Sequence, residues 1–318
     1  MRDQYFYGHG KLLLSGEYFV LDGAQALALP TTVGQSMKVK YRQSYQPTLN
    51  WKSYDHKGEL WFESDYEFWH FDPIKAQANE TQKFLTEILR AVRMQNPHFL
   101  RDDMDVFVET KIEFPLEWGL GSSSTFIYNV AQWAYVSPFE LLNKTMGGSG
   151  YDIACAQAAG PVKFQRVDGK PQWESANFNP SFQENLYFLY LGKKQSSSNE
   201  VMKYNDMDIE NKNQIVSDIT QLTREMISAG DIVTFNKIIK NHEDIISRAL
   251  RYEKVKDLHF KDYWGEVKSL GAWGGDFCLI TSDRPHMETR EYFVEKGFTT
   301  LIAYNEIVMA DIQARSNL

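Results

Sequence analysis

Pro115-Leu116-Glu117-Trp118-Gly119-Leu120-Gly121-Ser122-Ser123-Ser124 joins two runs of different periodicity. Before it, Met104 to Ile112 interleaves Asp105, Phe107 and Glu109 with Val106, Val108 and Thr110, which predicts a strand. After it, Phe126, Val130, Trp133 and Ala134 fall on one face of a helix. The glycines therefore sit where a strand ends and a helix begins. Gly119 and Gly121 let the backbone bend tightly and come close to a ligand. The first N–H groups of the helix, reinforced by its dipole, favour an anion there, above all a phosphate. The hydroxyls of Ser122, Ser123 and Ser124 suit phosphate oxygens or a bound Mg²⁺. The same residues also suit an ordinary capped helix, because serine is a favoured N-cap. Taken alone, the stretch leaves both uses open.

The chain has 318 residues, 43% hydrophobic and 24% charged, enough for one large or two ordinary domains with a real core. A net charge of −8 argues against a nucleic-acid partner. It does not exclude a local basic pocket for an anionic metabolite. Two cysteines, Cys155 and Cys278, make no disulfide framework and fit a reducing compartment. With no apolar signal core at the N-terminus and no run of membrane-spanning length, a cytoplasmic protein without a membrane partner is expected.

Along the chain, Lys11 to Leu21 reads as a buried strand, a break at Gly16 and a second extended piece, with Asp22-Gly23 as a turn. Lys11 opens a hydrophobic run, where its charge must reach water or find a partner. Ala26 to Tyr41 supplies strand, and residues 45–72 a hairpin turning near His56-Lys57-Gly58. A helix over 80–95 presents Phe84, Ile88, Ala91 and Val92. Ser137-Pro138 starts another helix. Asp152 follows the glycine-rich turn Gly147-Gly148-Ser149-Gly150 and opens an apolar segment, where an acid also suits a helix N-terminus. Strands are expected at 161–167, with 171–178 beside it, and at 186–191, 278–281 and 298–304. Helix is expected over 208–250 and 288–296. His242 lies on an apolar face and reads as a packed histidine. Lys193, Lys194, Ser196 and Ser197 precede a helix and form a second candidate anion site.

Four stretches together resemble the GHMP kinases, the superfamily of galactose, homoserine, mevalonate and phosphomevalonate kinases. They are His9-Gly10-Lys11 with Gly16-Glu17-Tyr18, the Pro-x-x-x-Gly-Leu-Gly-Ser-Ser pattern from Pro115, Gly148-Ser149-Gly150-Tyr151-Asp152, and Gly271-Ala272-Trp273-Gly274-Gly275-Asp276. They run in family order over nearly the whole chain. Gly-Glu-Tyr, and the aspartate after the last glycines, are similar to phosphomevalonate kinases in particular. The chain departs from the pattern at His9, where proline is usual, and at Trp273, which replaces a glycine. The segment before Asp152 is also short.

The resemblance implies an α+β, two-domain fold: residues 1–183 as an ATP-binding domain with a left-handed βαβ unit, and 184–318 as a ferredoxin-like domain. It implies ATP and Mg²⁺ as cofactors and a small anionic metabolite, phosphomevalonate ahead of mevalonate or another hydroxylated metabolite, as acceptor. Gly119, Leu120, Gly121, Ser122, Ser123, Ser124, Gly274 and Gly275 would border the ATP phosphates. Ser123 would hold the metal, with Glu140 as the nearest candidate for the family's second ligand, one residue off the expected spacing. Asp152 and Lys11 would be the catalytic pair at the acceptor hydroxyl. Gly150, Ala272, Lys193, Lys194, Ser196 and Ser197 would contact the substrate. A monomer or homodimer is expected. A reading from another class, a nucleotide-binding regulatory protein without turnover, stays open on the short segment before Asp152.

Overall fold

The computed structural model describes residues 3–77, 79–101, 104–193, 197–273 and 275–309, with the side chains of Ser197 and Ser198 excepted. Lys194, Ser196 and Gly274 lie outside the described residues, as does the side chain of Ser197. The chain packs into two compact units that interleave along the sequence. The first comprises Met1–Gly10, Val33–Leu116 and Gly121–Gln157; the second comprises Lys11–Thr32, Glu117–Leu120 and Ala158–Leu318.

Two long strands, β1 (Gln4–Ser15) and β2 (Ala26–Gln43), pair with each other and contribute residues to each unit. In the first unit β2 pairs antiparallel with β5 (Met104–Ile112), Gln35 opposite Ile112 and Gln43 opposite Met104. Strand β3 (Thr48–Tyr54) runs parallel to β5 and forms the expected hairpin with β4 (Leu60–Glu67). A parallel β3–β5 pair needs a crossover, and helix α1 (Glu80–Gln95) lies within it. Asn79 caps α1, its side chain accepting the Gln82 N–H at 2.7 Å. The buried stripe is Leu85, Ile88, Leu89 and Val92, which keeps the expected Ile88 and Val92 and adds Leu85 and Leu89. Phe84 and Ala91 lie at its margin, partly buried. Helices α2 (Ser122–Ala134), α3 (Pro138–Thr145) and α4 (Tyr151–Gln157) complete the unit. Ser137 caps α3 through the Glu140 N–H at 3.3 Å, as its Ser-Pro start predicts.

In the second unit the start of β2 pairs with β6 (Val162–Val167), which pairs in turn with β7 (Lys170–Ser175). A four-stranded antiparallel sheet has the order β11-β8-β10-β9, from β8 (Leu186–Tyr190), β9 (Val267–Ser269), β10 (Phe277–Thr281) and β11 (Leu301–Ala303). Helices α5 (Ser197–Asn205), α6 (Lys212–Ser228), α7 (Ile232–Leu250), α8 (Val255–His259), α9 (His286–Glu295) and α10 (Tyr304–Ile307) accompany it.

Three expectations need correction. The extended piece after Gly16 is a tight turn followed by a single helical turn, Phe19–Asp22. Gly16 has φ 92° and touches the Ala26 backbone so closely that a Cβ would come within 2.7 Å of Ala26 Cβ, so the chain must turn there. The helical span 208–250 is two helices, because Asp231 caps a new one by accepting the Thr234 N–H at 2.8 Å. The last strand is shorter than expected, since the Phe298 N–H closes back on the Phe293 carbonyl and Tyr304 starts α10.

The first unit's core rests on the α1 stripe. Leu89→Ala should lower unfolding free energy by about 2–5 kcal/mol, measured by urea denaturation; a cost near zero would mean the stripe is misplaced.

Candidate active site

Each candidate residue belongs to one unit or the other, and each group is built locally. In the first unit, Gly121 is the N-cap of α2, with φ 90° and ψ 40°. Its carbonyl accepts the Thr125 N–H at 3.0 Å and the Ser124 hydroxyl at 3.1 Å. Ser124 is thereby turned inward and buried, while Ser122 and Ser123 stay half-buried in the first turn. The helix start is fixed to β2: Thr125 Oγ1 donates to Gln35 Oε1 at 2.7 Å, and the Asn129 amide donates to the Gln35 carbonyl at 2.8 Å.

Helix α4 packs against α2 and carries Asp152 in its own first turn. Gly150, at φ 97°, leads into it, and its carbonyl accepts the Ala154 N–H at 3.2 Å. Asp152 is half-buried, and its carboxylate accepts the Ile153 N–H at 3.2 Å, the helix-start role its position predicts. Glu140 is exposed in the first turn of α3. One group of three ligand-type side chains within 4.8 Å stands among the described residues: Glu67, His70 and Asp72. Backbone N–H groups of Trp69, His70 and Asp72 occupy the Glu67 carboxylate, and Arg90 holds Asp72.

In the second unit three of the motif stretches meet. The Lys11 N–H donates to the Leu120 carbonyl at 2.9 Å. Gly119, at φ 64°, lies against Asp276; a Cβ there would fall 2.1 Å from Asp276 Oδ2. The Asp276 N–H donates to the Lys193 carbonyl at 2.7 Å, and the Leu191 N–H to the Asp276 carbonyl at 2.8 Å. Tyr190 donates its hydroxyl to the Glu117 carbonyl, and Trp118 packs edge-on to Phe277. Lys11, Gly119, Leu120, Lys193 and Asp276 are therefore neighbours. Lys11 is half-buried, Lys193 exposed and Ala272 buried, its carbonyl accepting the Gly275 N–H at 3.3 Å.

Trp273, where the resemblance expects glycine, is buried in a cluster with Tyr18, Phe19 and Tyr204. Its N–H donates to Tyr18 Oη at 3.0 Å and its indole N–H to the Glu253 carbonyl at 2.8 Å.

A group of titratable residues near this loop escaped the sequence reading. Lys268, in β9, has no exposed surface and donates to Glu17, which is equally buried. Glu243 Oε1 lies 3.9 Å from the same ammonium. His242 Nε2 accepts the Gly16 N–H at 3.3 Å and stands 3.3 Å from Glu17 Oε2. Burial, then the Lys268 charge, holds the imidazole pKa well below its ordinary value, so it is neutral. Burial raises the Glu17 pKa against the pull of Lys268. Burial is also the main cause that pushes Glu243 up to about 8. The available signal was a glutamate inside the apolar run 12–20 and a lysine between Val267 and Ser269. His242 is packed, as its face predicted.

This architecture is the GHMP kinase fold. The chain is similar to the mevalonate kinase of Methanococcus jannaschii at 14% identity and TM-score 0.68, over 97% of this chain and 98% of that one. A Streptococcus pneumoniae phosphomevalonate kinase, solved with phosphomevalonate and AMPPNP, gives 16% identity and TM-score 0.65, over 95% and 99%. The Lin0012 protein of Listeria innocua gives 17% and 0.66, over 93% and 94%. No protein-family model matches the sequence, and no curated protein does. Among the described residues no helix is long and apolar enough to cross a membrane.

Gly119→Ala would set a methyl on the Asp276 carboxylate and force a side chain into positive φ. It should cost about 2 kcal/mol or more, read by thermal melting; an unchanged melt would refute the close packing. Glu243 is protonated in the folded chain up to about pH 8 and ionises near 4.5 when unfolded, so its stabilising contribution is full below 4.5 and fades as the pH climbs through 8. Melting temperature should therefore fall across that window, and Glu243→Gln should flatten the slope. An identical slope in both proteins would rule this assignment out.

Proposed function

We propose that the chain is an ATP- and Mg²⁺-dependent small-molecule kinase of the GHMP type, with phosphomevalonate as its preferred acceptor and isoprenoid precursor synthesis as its setting. The observation that carries the reading is the meeting of Lys11, the Gly119-Leu120 turn and Asp276, which belong to three motif stretches far apart in sequence. A family motif used only as a turn would not need its neighbours.

In this reading the first turn of α2 receives the ATP phosphates, with the N–H groups of Ser122 and Ser123 as donors. Mg²⁺, when bound, offsets phosphate charge. Ser123 suits it, because its hydroxyl is half-buried while Ser124 spends its own on Gly121. Glu140 is the second candidate ligand. Asp152 orients the acceptor hydroxyl and takes its proton, and the Lys11 ammonium offsets charge near the transferred group. Lys193, Lys194, Ser196 and Ser197 are candidates for the acceptor's anionic end, and Gly150 and Ala272 are further candidates for contact with the substrate. The choice of phosphomevalonate over mevalonate rests on Gly-Glu-Tyr and on Asp276, since the fold neighbours include kinases for each.

A coupled assay for ADP release with Mg-ATP, run against mevalonate, phosphomevalonate, homoserine and several sugars, tests the reading. Saturable release with phosphomevalonate is expected. Release with mevalonate alone would reassign the acceptor, and nucleotide binding without any release would favour a regulatory protein. Asp152→Asn keeps an acceptor for the Ile153 N–H, and Lys11→Met keeps the backbone bond to Leu120. Both variants should still fold yet lose about 10²–10⁴ in kcat. Full turnover in either would remove that residue from its role.

A further inference from the structure

Tyr18 has φ 59° and ψ −53°, and the Phe19 N–H closes on the Glu17 carbonyl at 2.6 Å. That is a γ-turn of the rare, strained kind. Strain of this sort persists only where the surroundings over-determine it. Two contacts do so here. At the first residue of the turn, the buried Glu17 carboxylate takes the ammonium of Lys268, which also donates to the Ser269 carbonyl at 2.9 Å. On the turn residue itself, Tyr18 Oη accepts the N–H of Trp273. Consecutive residues thus grip the segment 268–276 at its entrance and its middle. The far end of that segment is Asp276, packed on Gly119.

We propose that Glu17 and Lys268 are positioning residues, whose ion pair holds residues 270–273 and 275–276 where Asp276 meets Gly119. What the loop is positioned for rests on the kinase reading above; the grip itself does not. Neither residue is required to touch substrate.

Lys268→Met alone leaves a buried carboxylate without its cation, which confounds folding with position. The double variant Glu17→Gln/Lys268→Met has a neutral site and is the informative protein. Amide hydrogen exchange in residues 270–276 should quicken about tenfold or more while the melting temperature stays near the parent's. With the acceptor the parent uses, kcat should drop about tenfold or more. A purely structural pair predicts recovery of both once the charges are gone, so exchange and kcat within about twofold of the parent overturn the proposal. A loosened loop with undiminished kcat overturns it as well. Should the double variant not fold, Glu17→Asp keeps the charges balanced while withdrawing the carboxylate by one methylene, and it is scored by the same two readouts. If the parent itself releases no ADP with any acceptor, the kinase reading fails separately, and loop exchange alone decides whether the pair holds the loop.

Discussion

A lysine with no exposed surface must have its charge met inside the protein, and at Lys268 that condition organises what surrounds it. Glu17 supplies the counter-charge. Burial pushes Glu243 up to about 8 and holds His242 well below its ordinary value, so neither competes with Glu17 as the partner of Lys268 at neutral pH. A buried charge without a partner would be expensive in that medium. Removing one partner of such a pair typically costs about 3–5 kcal/mol, because the other is left uncompensated. The pair also fixes geometry. It ties the turn at Gly16–Tyr18 to the strand that delivers the Gly271–Asp276 loop.

The same economy of parts recurs at the glycine stretch. Leu120 gives its carbonyl to Lys11, Gly119 yields its space to Asp276, and Asp276 spends its own N–H on Lys193. None of these bonds uses the side chains that the chemistry would need. Backbone atoms hold the frame at these contacts. Ser124 illustrates the division, since it sits beside two half-buried serines yet turns its hydroxyl back to the Gly121 carbonyl.

Much of this was legible in the order of residues. Met104 to Ile112 alternates and is a strand over those residues. Ser137-Pro138 caps a helix, and the turn near Gly58 joins two strands. Local rules suffice there because each signal acts on its own neighbours. The motif stretches were equally readable, since glycine at a forced turn leaves a mark. What could not be read is pairing over long distance. Glu17 and Lys268 are 251 positions apart, and although each is a charge in an apolar stretch, nothing local tells which partner it finds. The strained turn at Tyr18 was read as extended for the same reason. Nothing near it in sequence announces Trp273, whose backbone holds it. On α1 the expected Ile88 and Val92 are buried, but Leu85 and Leu89 lie deeper than Phe84 and Ala91, because only tertiary packing chooses between adjacent apolar residues.

Trp273 stands where the resemblance would put a glycine, and its indole is buried and hydrogen-bonded at Glu253. A glycine at that place would leave the loop many conformations to lose when a ligand arrives. With the indole already seated, that loss has largely been taken during folding, before any ligand is present. The loop is thus preorganised at the expense of its adaptability. If the kinase reading holds, a site bordered by it would select among ligands by the shape it already has, with less room to reshape around a poor fit than a glycine-only loop would have.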